Sequence, residues 1–258
     1  MPASQPPASA HSPTSQPQPP VVDIRDITRR FGSRAVLNGI SLRVERGELF
    51  GLLGPSGSGK TTLIKLITGI DQADEGAVHV LGERMPKLAM LQRFGYMAQS
   101  DALYNELTAR ENLHFFASLY GLSGTRRNER MQAAMAVVDL LDHLNKPVAA
   151  YSGGMKRRLS LAISLLHEPE LLILDEPTVG IDPMLRQSIW RELLAMRERG
   201  TTIILTTHVM DEADKCDRIG LIREGKLNAV DSPQALKAQT GTDSIEDAFI
   251  VLGGGVRG

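Results

Sequence analysis

The chain of 258 residues is long enough to form one large domain or two small ones around a substantial core. Its 29 basic and 30 acidic residues give a net charge of −1, which provides no overall attraction to nucleic acid or to an anionic lipid surface. The single cysteine, Cys216, excludes an internal disulfide. We expect no membrane-spanning segment and no signal peptide, because the sequence has no long apolar run and the N-terminus has no basic start.

The first 20 residues carry seven of the chain's 14 prolines, together with serine, glutamine and alanine. Such a composition cannot bury a core and predicts a disordered tail. A partner that reads proline-rich segments is the alternative, and a solvated tail is the favoured interpretation. We expect the folded domain to span residues 21–250 and residues 251–258 to form a second flexible tail.

The first half of this domain alternates between strand and helix patterns. "LFGLLG" (49–54) is a short apolar run typical of a buried strand, and "TTLIKLIT" (61–68) predicts a helix that Gly69 ends. Further strands are predicted in "VVDIRDI", "AVLNGISLRV", "GAVHVLGE" (76–83) and "FGYMAQ" (94–99).

Helical spacing dominates residues 100–168, with helices predicted in "RENLHFFASLYGL", "NERMQAAMAVVDLLDHL" and "MKRRLSLAISLLHE". Strands then return in "ELLILDEP" and "TTIILTTH", whose continuous apolar runs are typical of parallel strands buried on both faces. A helix between them, closed by Gly200, completes a crossover unit. The pattern predicts an α/β core with a helical insertion.

A phosphate-binding loop is indicated by "GPSGSGKT", from Gly54 to Thr61, which fits the spacing G-x-x-x-x-G-K-[ST]. It follows a predicted strand and opens a predicted helix, so that backbone N–H groups and the helix N-terminus point at phosphate oxygens. We expect Lys60 to reach the β- and γ-phosphates and Thr61 to bind Mg²⁺. The expected nucleotide-binding residues here are Gly54, Pro55, Ser56, Gly57, Ser58, Gly59, Lys60, Thr61 and Thr62.

Two acidic residues follow the apolar run "LLIL". In a phosphate-loop protein a carboxylate at a strand end holds Mg²⁺, and Asp175 fits that role. Glu176 projects in another direction and is expected to polarise the water that attacks the γ-phosphate. An exposed acidic turn before Pro177 is the alternative for such a pair in isolation.

A second helix start, Ser152-Gly153-Gly154, also suits an anion. With it, the chain closely resembles the nucleotide-binding subunits of ABC transporters over residues 21–250. "GPSGSGKTT" resembles the Walker A loop, "LLILDEP" the Walker B strand with the catalytic glutamate, and "YSGGM" the L-S-G-G-Q signature. The elements occur in the family's order.

The resemblance implies further roles. Gln99 in "YMAQ" is similar to the Q-loop glutamine, which contacts Mg²⁺ and the catalytic water, and His208 to the switch histidine on the γ-phosphate. Asp182 in "GIDP" resembles the D-loop residue at the dimer contact, and Phe31 the aromatic ring stacked on adenine. Taken singly, Phe31 reads as a core aromatic, Asp182 as a helix N-cap and His208 as a structural residue.

The resemblance implies a P-loop NTPase fold with a RecA-like α/β core, an antiparallel β subdomain and an inserted α-helical subdomain at about 100–168. The chain departs from the family at Tyr151 and Met155, which stand where the signature has Leu and Gln. "YSGGMKRRL" and "SIEDAFI" (244–250) are similar to the ATPase subunits of drug- and antibiotic-exporting transporters, whose membrane part is a separate chain.

These features predict an ATPase that uses ATP and Mg²⁺ and pairs with a second ATP-binding subunit in a homodimer. It is expected to energise a separate membrane permease for export of a drug-like, lipid or similar small molecule. We expect it at the cytoplasmic face of the membrane, without nucleic acid. The alternative is a soluble ABC-type ATPase acting on ribosomes or DNA. A small GTPase is disfavoured because no N-K-x-D is present, and a phosphate-loop kinase leaves Ser152–Gly154 unexplained.

Overall fold

The computed structural model describes residues 19–100 and 102–253 of the chain. The predicted N-terminal tail lies outside the described residues except for its last two positions, and residues 254–258 also lie outside them. The last helix, α8 (Ile245–Leu252), continues into the segment expected to be the C-terminal tail. None of the helices in the described parts is both long and apolar enough to cross a bilayer.

A six-stranded sheet forms the centre of the molecule, with strand order β10-β9-β3-β8-β7-β6. Its strands are parallel except for β10, which pairs antiparallel to β9 at one edge. The strands are β3 (Leu49–Leu53), β6 (Phe94–Met97), β7 (Leu171–Asp175), β8 (Thr202–Thr207), β9 (Arg218–Arg223) and β10 (Lys226–Asp231).

A second, antiparallel sheet of four strands has the order β2-β1-β4-β5, as the expected β subdomain requires. The single strand predicted at 76–83 is in fact split, because Leu81 and Gly82 have positive φ of 51° and 83° and form a hairpin turn. The strands are β1 (Val22–Phe31), β2 (Arg34–Val44), β4 (Glu75–Val80) and β5 (Glu83–Arg84).

Eight α-helices complete the described parts of the chain, and three of them lie between β6 and β7, as the insertion predicts. The helix predicted through residue 144 ends earlier, at Val137, because Asp139 adopts a positive φ of 52°. The helices are α1 (Lys60–Thr68), α2 (Ala109–Leu119), α3 (Gly124–Val137), α4 (Gly153–Ser164), α5 (Pro183–Glu198), α6 (Met210–Ala213), α7 (Pro233–Thr240) and α8.

Strand β3 shows why the sheet is buried on both faces. Its five residues are all buried and point alternately to opposite sides. Leu49 and Leu53 belong to a core that includes the helical insertion and α5, whereas Phe50 and Leu52 belong to a core shared with α1 and the antiparallel sheet. The loop after β3 is therefore anchored in a strand that is buried along its whole length.

Candidate functional site

The loop from Gly54 to Gly59 turns at the carboxyl end of β3 into helix α1. Gly57 and Gly59 have φ of 78° and 110°, which residues with a Cβ rarely adopt. A Cβ on Gly54 would lie 2.2 Å from the carbonyl oxygen of Ile222. Because Gly59 has no side chain to cap the helix, the first N–H groups of α1 face the loop and suit an anion.

Lys60 is 6% exposed and folds back over this loop. Its Nζ donates to the carbonyl oxygens of Gly54 at 2.6 Å and Pro55 at 3.1 Å. Burial lowers the pKa of Lys60, and the negative charges of Glu176 and Asp175 oppose that shift. The structure thus brings the lysine and both predicted carboxylates into one electrostatic site.

Asp175 is the last residue of β7 and is fully buried. Its Oδ1 accepts a hydrogen bond from Thr206 Oγ1, on the neighbouring strand β8. Its Oδ2 is buried without a hydrogen-bond partner among the described residues. A buried carboxylate oxygen with no donor is costly unless something else satisfies it, and a hard divalent cation such as Mg²⁺ fits that need.

Glu176 follows directly and has a positive φ of 53°, so its side chain leaves the strand in a different direction from that of Asp175. Its N–H donates to Thr206 Oγ1 at 3.0 Å. Its Oε1 lies 3.3 Å from Nδ1 of His208, which follows β8. The structure contradicts an exposed acidic turn, since Asp175 is fully buried and Glu176 is half-buried.

Gln99 lies two residues beyond β6, the strand that pairs with β7. The parallel order of β6, β7 and β8 therefore brings Gln99, Glu176 and His208 to the same end of the sheet. Such an end is where ligands bind in open α/β folds. Thr61 and Thr62 are half-buried in the first turn of α1, the helix that follows β3, and β3 is the strand next to β8.

The known family with this constellation matches the chain directly. The sequence profile described as "ABC transporter" covers residues 37–179, from β2 to the turn after Glu176. The chain belongs to the ABC transporter family. The P-loop fold expected from the resemblance is confirmed by the solved ATP-binding subunits that superpose on the chain.

The chain matches different shares of two curated ABC relatives. The chain is 42% identical over 255 residues to "Probable multidrug ABC transporter ATP-binding protein YbhF" of Escherichia coli, covering 95% of this chain but only 44% of YbhF. It is 41% identical over 229 residues to "Nod factor export ATP-binding protein I" of Burkholderia lata, covering 87% of this chain and 75% of that protein.

Among solved structures, a dimeric ATP-binding cassette in a post-hydrolysis state, bound to ADP and Pi, superposes with a TM-score of 0.76. It is 25% identical and covers 82% of this chain and 98% of the cassette.

The predicted signature, Ser152–Gly154, lies at the start of α4. Ser152 is the N-cap of α4, where its Oγ accepts a hydrogen bond from the N–H of Met155 at 3.3 Å. Ser152 and Gly153 are exposed, and a Cβ on Gly153 would meet nothing within 4 Å. Within the described residues, no hydrogen bond joins Ser152–Gly154 to the chain's own phosphate loop, so the two helix starts stay separate.

The two departures from the signature have structural explanations. Tyr151 is 6% exposed and its hydroxyl donates to the carbonyl oxygen of His143 at 2.8 Å, so it anchors the approach to α4. Met155 is half-buried against the core. Both residues thus take part in packing of the helical insertion.

Two of the simpler interpretations can now be compared with the structure. Asp182 does cap α5, since its Oδ1 accepts from the N–H of Leu185 at 3.0 Å. Phe31, in contrast, is not a core residue: it is 54% exposed, and the guanidinium of Arg29 lies 4.6 Å above its ring. An exposed aromatic at the end of β1 is available for stacking.

The sequence analysis did not predict three residues that position the site. Thr206 Oγ1 forms hydrogen bonds with both Asp175 and Glu176. The sequence feature that could have indicated Thr206 is a polar residue near the end of an apolar strand. Glu212, 1% exposed, accepts hydrogen bonds from Thr207 Oγ1 at 2.7 Å, from Trp190 and from Thr178. Arg157 donates to the backbone carbonyl oxygen of Glu176. In the sequence, only its place in the basic triplet after the predicted signature distinguishes it.

Proposed function

We propose that this ABC protein is an ATP-hydrolysing subunit that energises a separate membrane permease for export. The observation that carries the proposal is the meeting of Lys60 with Asp175 and Glu176 beside a glycine loop, with His208 within 3.3 Å of Glu176. This arrangement supplies the cation, the metal-binding carboxylate and the base that hydrolysis of a nucleoside triphosphate requires.

Nucleotide binding is assigned to the loop and its surroundings. The backbone N–H groups that follow Pro55 in the loop bind phosphate oxygens, and Lys60 neutralises their charge. The expected adenine contact is Phe31, whose exposed ring would stack on the base. Asp175, Thr61 and Gln99 would hold Mg²⁺, which neutralises charge on the phosphates when bound.

The residues that follow strands β6, β7 and β8 are proposed to carry out hydrolysis. Glu176 accepts a proton from, and orients, the attacking water. His208 holds the glutamate from one side and contacts the γ-phosphate, while Gln99 completes the water's environment. The surrounding strands β7 and β8 keep these groups fixed, so that little reorganisation accompanies the reaction.

A complete site requires two copies of the chain. The exposed Ser152 and Gly153, with the half-buried Gly154, are proposed to close over the nucleotide held by a partner subunit, with Asp182 at the contact. Closure excludes water from the γ-phosphate. The similar solved cassette is dimeric and binds ADP and Pi, which supports a homodimer of this chain.

An apolar groove of about 860 Å³ beside Gln99 suits the permease. Its wall includes Ala98 and Ser100, the neighbours of Gln99, so an occupant of the groove would move this loop. Leu88, Ile70 and Leu119 are 82%, 58% and 53% exposed there, and several exposed apolar side chains that line one groove are typical of an interaction site. The other large apolar residues of the wall include Leu91, Phe116 and Tyr120.

Export rather than import is supported by the relatives. YbhF is described as a probable multidrug transporter component and the Burkholderia protein as a Nod factor export component. "SIEDAFI" forms helix α8, capped by Ser244. We propose residues 21–250 as one ABC unit with its helical subdomain at 100–168, peripheral to the cytoplasmic face of the membrane, with residues 1–20 and 251–258 as tails.

Phosphate release from Mg²⁺-ATP by the purified chain tests the enzymatic part. The permease part is tested by co-expression with a membrane protein encoded beside it. Leu88→Asp should abolish retention on membranes, whereas Leu141→Asp, a 44%-exposed leucine outside the groove wall, should not. ATP-dependent pelleting with ribosomes or DNA instead of membranes would overturn the proposal, as would transfer of the γ-phosphate to an acceptor other than water.

A further inference from the structure

Arg157 lies in α4, five positions after Ser152, and is 8% exposed. One of its terminal nitrogens donates to the carbonyl oxygens of Ala98 at 2.7 Å and Gln99 at 2.9 Å. The other donates to the carbonyl oxygens of Asp175 and Glu176, the latter at 2.7 Å. One guanidinium therefore bridges the ends of β6 and β7.

The four carbonyls belong to the two loops that carry the proposed water-orienting groups. Glu176 adopts a left-handed backbone conformation that is unfavourable for glutamate and persists only where the surroundings fix it. Thr206 fixes its N–H side and Arg157 fixes its carbonyl side. Gln99 has no regular secondary structure of its own, and its carbonyl is held by the same guanidinium.

The chemistry of the side chain suits this role. Hydrogen bonds from a charged donor are about twice as strong as neutral ones. The planar guanidinium presents its donors in a rigid fork, so it fixes the spacing between two backbone segments as well as the position of each. A lysine ammonium carries its three donors on a single nitrogen and cannot span both pairs of carbonyls equally.

We propose that Arg157 is a positioning residue that holds Gln99 and Glu176 in register with α4. This inference rests on the proposed function, in which Ser152, the N-cap of α4, covers the nucleotide of a partner subunit. Because Arg157 lies on the same helix, closure over the partner's site is linked to the hydrolytic groups of the subunit's own site. The two composite sites of a dimer are thereby coupled through one side chain.

Arg157→Met removes the bridge while keeping an unbranched apolar stem. The expected result for the full chain is a fall in kcat for ATP on the order of 10- to 100-fold, the cost of misplaced reacting groups. Binding of a fluorescent methylanthraniloyl-ATP should stay within about threefold, because the phosphate loop is untouched. Arg157→Lys should give an intermediate kcat, which a purely structural role does not predict.

Arg130→Met is the matched control. Arg130 also donates to two backbone carbonyls, of Leu165 and Leu166, but at the far end of α4. It should cost comparable stability and leave kcat unchanged. Unchanged kcat in Arg157→Met would overturn the proposal, and so would a parallel loss of ATP binding, melting temperature and kcat that Arg157→Lys does not relieve.

Hydrogen exchange separates this inference from the proposed function. In Arg157→Met, the amides at 98–100 and 175–178 should exchange faster than in the unmodified chain, while those of α1 and α5 should not. If the unmodified chain releases no phosphate from ATP, the proposed function fails, and the exchange measurement still decides whether Arg157 holds these two loops. Equal exchange in both proteins refutes the bridge.

Discussion

The carboxylate of Glu176 lies 3.3 Å from Nδ1 of His208, although the two residues are 32 positions apart in the sequence. They meet because β7 and β8 are neighbouring parallel strands that end at the same edge of the sheet. Glu176 is the less exposed of the two, with 16% of its side chain accessible against 52% for His208. The histidine thus lies at the open side of the pair, where a second subunit can cover it.

Glu176→Gln should keep ATP binding and lose turnover by about 10²- to 10⁴-fold, because the amide cannot accept a proton from water. With ATP present, the variant should accumulate as a closed dimer, measured by size-exclusion chromatography or light scattering with the permease co-purified. A variant that stays monomeric and hydrolyses ATP normally contradicts the role given to Glu176.

Lys60→Ala should weaken ATP binding on the order of 10- to 100-fold, since a charge-assisted contact to phosphate is lost. Equilibrium binding of nucleotide and single-turnover hydrolysis measure the effect. Lys65→Ala is the matched control, because Lys65 lies on the exposed face of the same helix. Equal losses in both variants would show that the lysine acts through helix stability.

Mixed dimers test whether Ser152 acts on the partner's nucleotide. A dimer with Lys60→Ala in one copy and Ser152→Ala in the other keeps one intact composite site, and it should retain measurable ATPase activity. A dimer of the double variant with an unmodified copy keeps no intact site, although it carries the same two substitutions. Indistinguishable activity of the two mixed dimers would exclude the assignment.

The pH dependence of stability should depend on His167, whose ring stacks on Tyr120 with centroids 3.8 Å apart. Burial lowers the pKa of His167 to about 4, and the charge of Arg130 adds to that shift. In the unfolded chain the pKa returns to about 6.5, so protons bind the unfolded state first as the pH falls. The stabilising effect of the neutral ring is present above pH ~6.5 and is lost progressively towards pH ~4.

Urea unfolding at several pH values measures this effect. His167→Phe should flatten the fall in stability between pH ~6.5 and ~4, because no titrating ring remains. Tyr120→Phe keeps both the aromatic stack and the histidine and should retain the slope of the unmodified chain. A slope that survives in His167→Phe assigns the acid sensitivity to other groups.

Local signals in the sequence were sufficient for the phosphate loop and the strands that support it. Gly57 and Gly59 stand at the positions where a positive φ is required, and the apolar run at 49–53 reports burial on both faces directly. The position of Asp175 at the end of a buried strand was predictable from the apolar run that precedes it. These features depend on residues close together in the sequence.

Other features depend on contacts that no local pattern encodes. Arg157 reaches carbonyls 58 and 59 residues earlier in the chain, and only the packing of α4 against β6 and β7 brings them together. The end of α3 was missed because Asp139 adopts a left-handed conformation within a helical apolar pattern. The exposed position of Phe31 likewise follows from how β1 ends, which hydrophobicity alone does not report.

The shared core behind β3 determines how the protein unfolds. Leu49 and Leu53 belong to the same apolar cluster as Leu113 of α2 and Leu159 of α4, so the inserted helices cannot separate from the sheet without exposing the strand that carries the phosphate loop. The insertion is therefore not an independently excisable module. Calorimetry should record one cooperative transition for the whole nucleotide-binding body, and a chain shortened by removal of α2 to α4 should fail to form the phosphate loop at all.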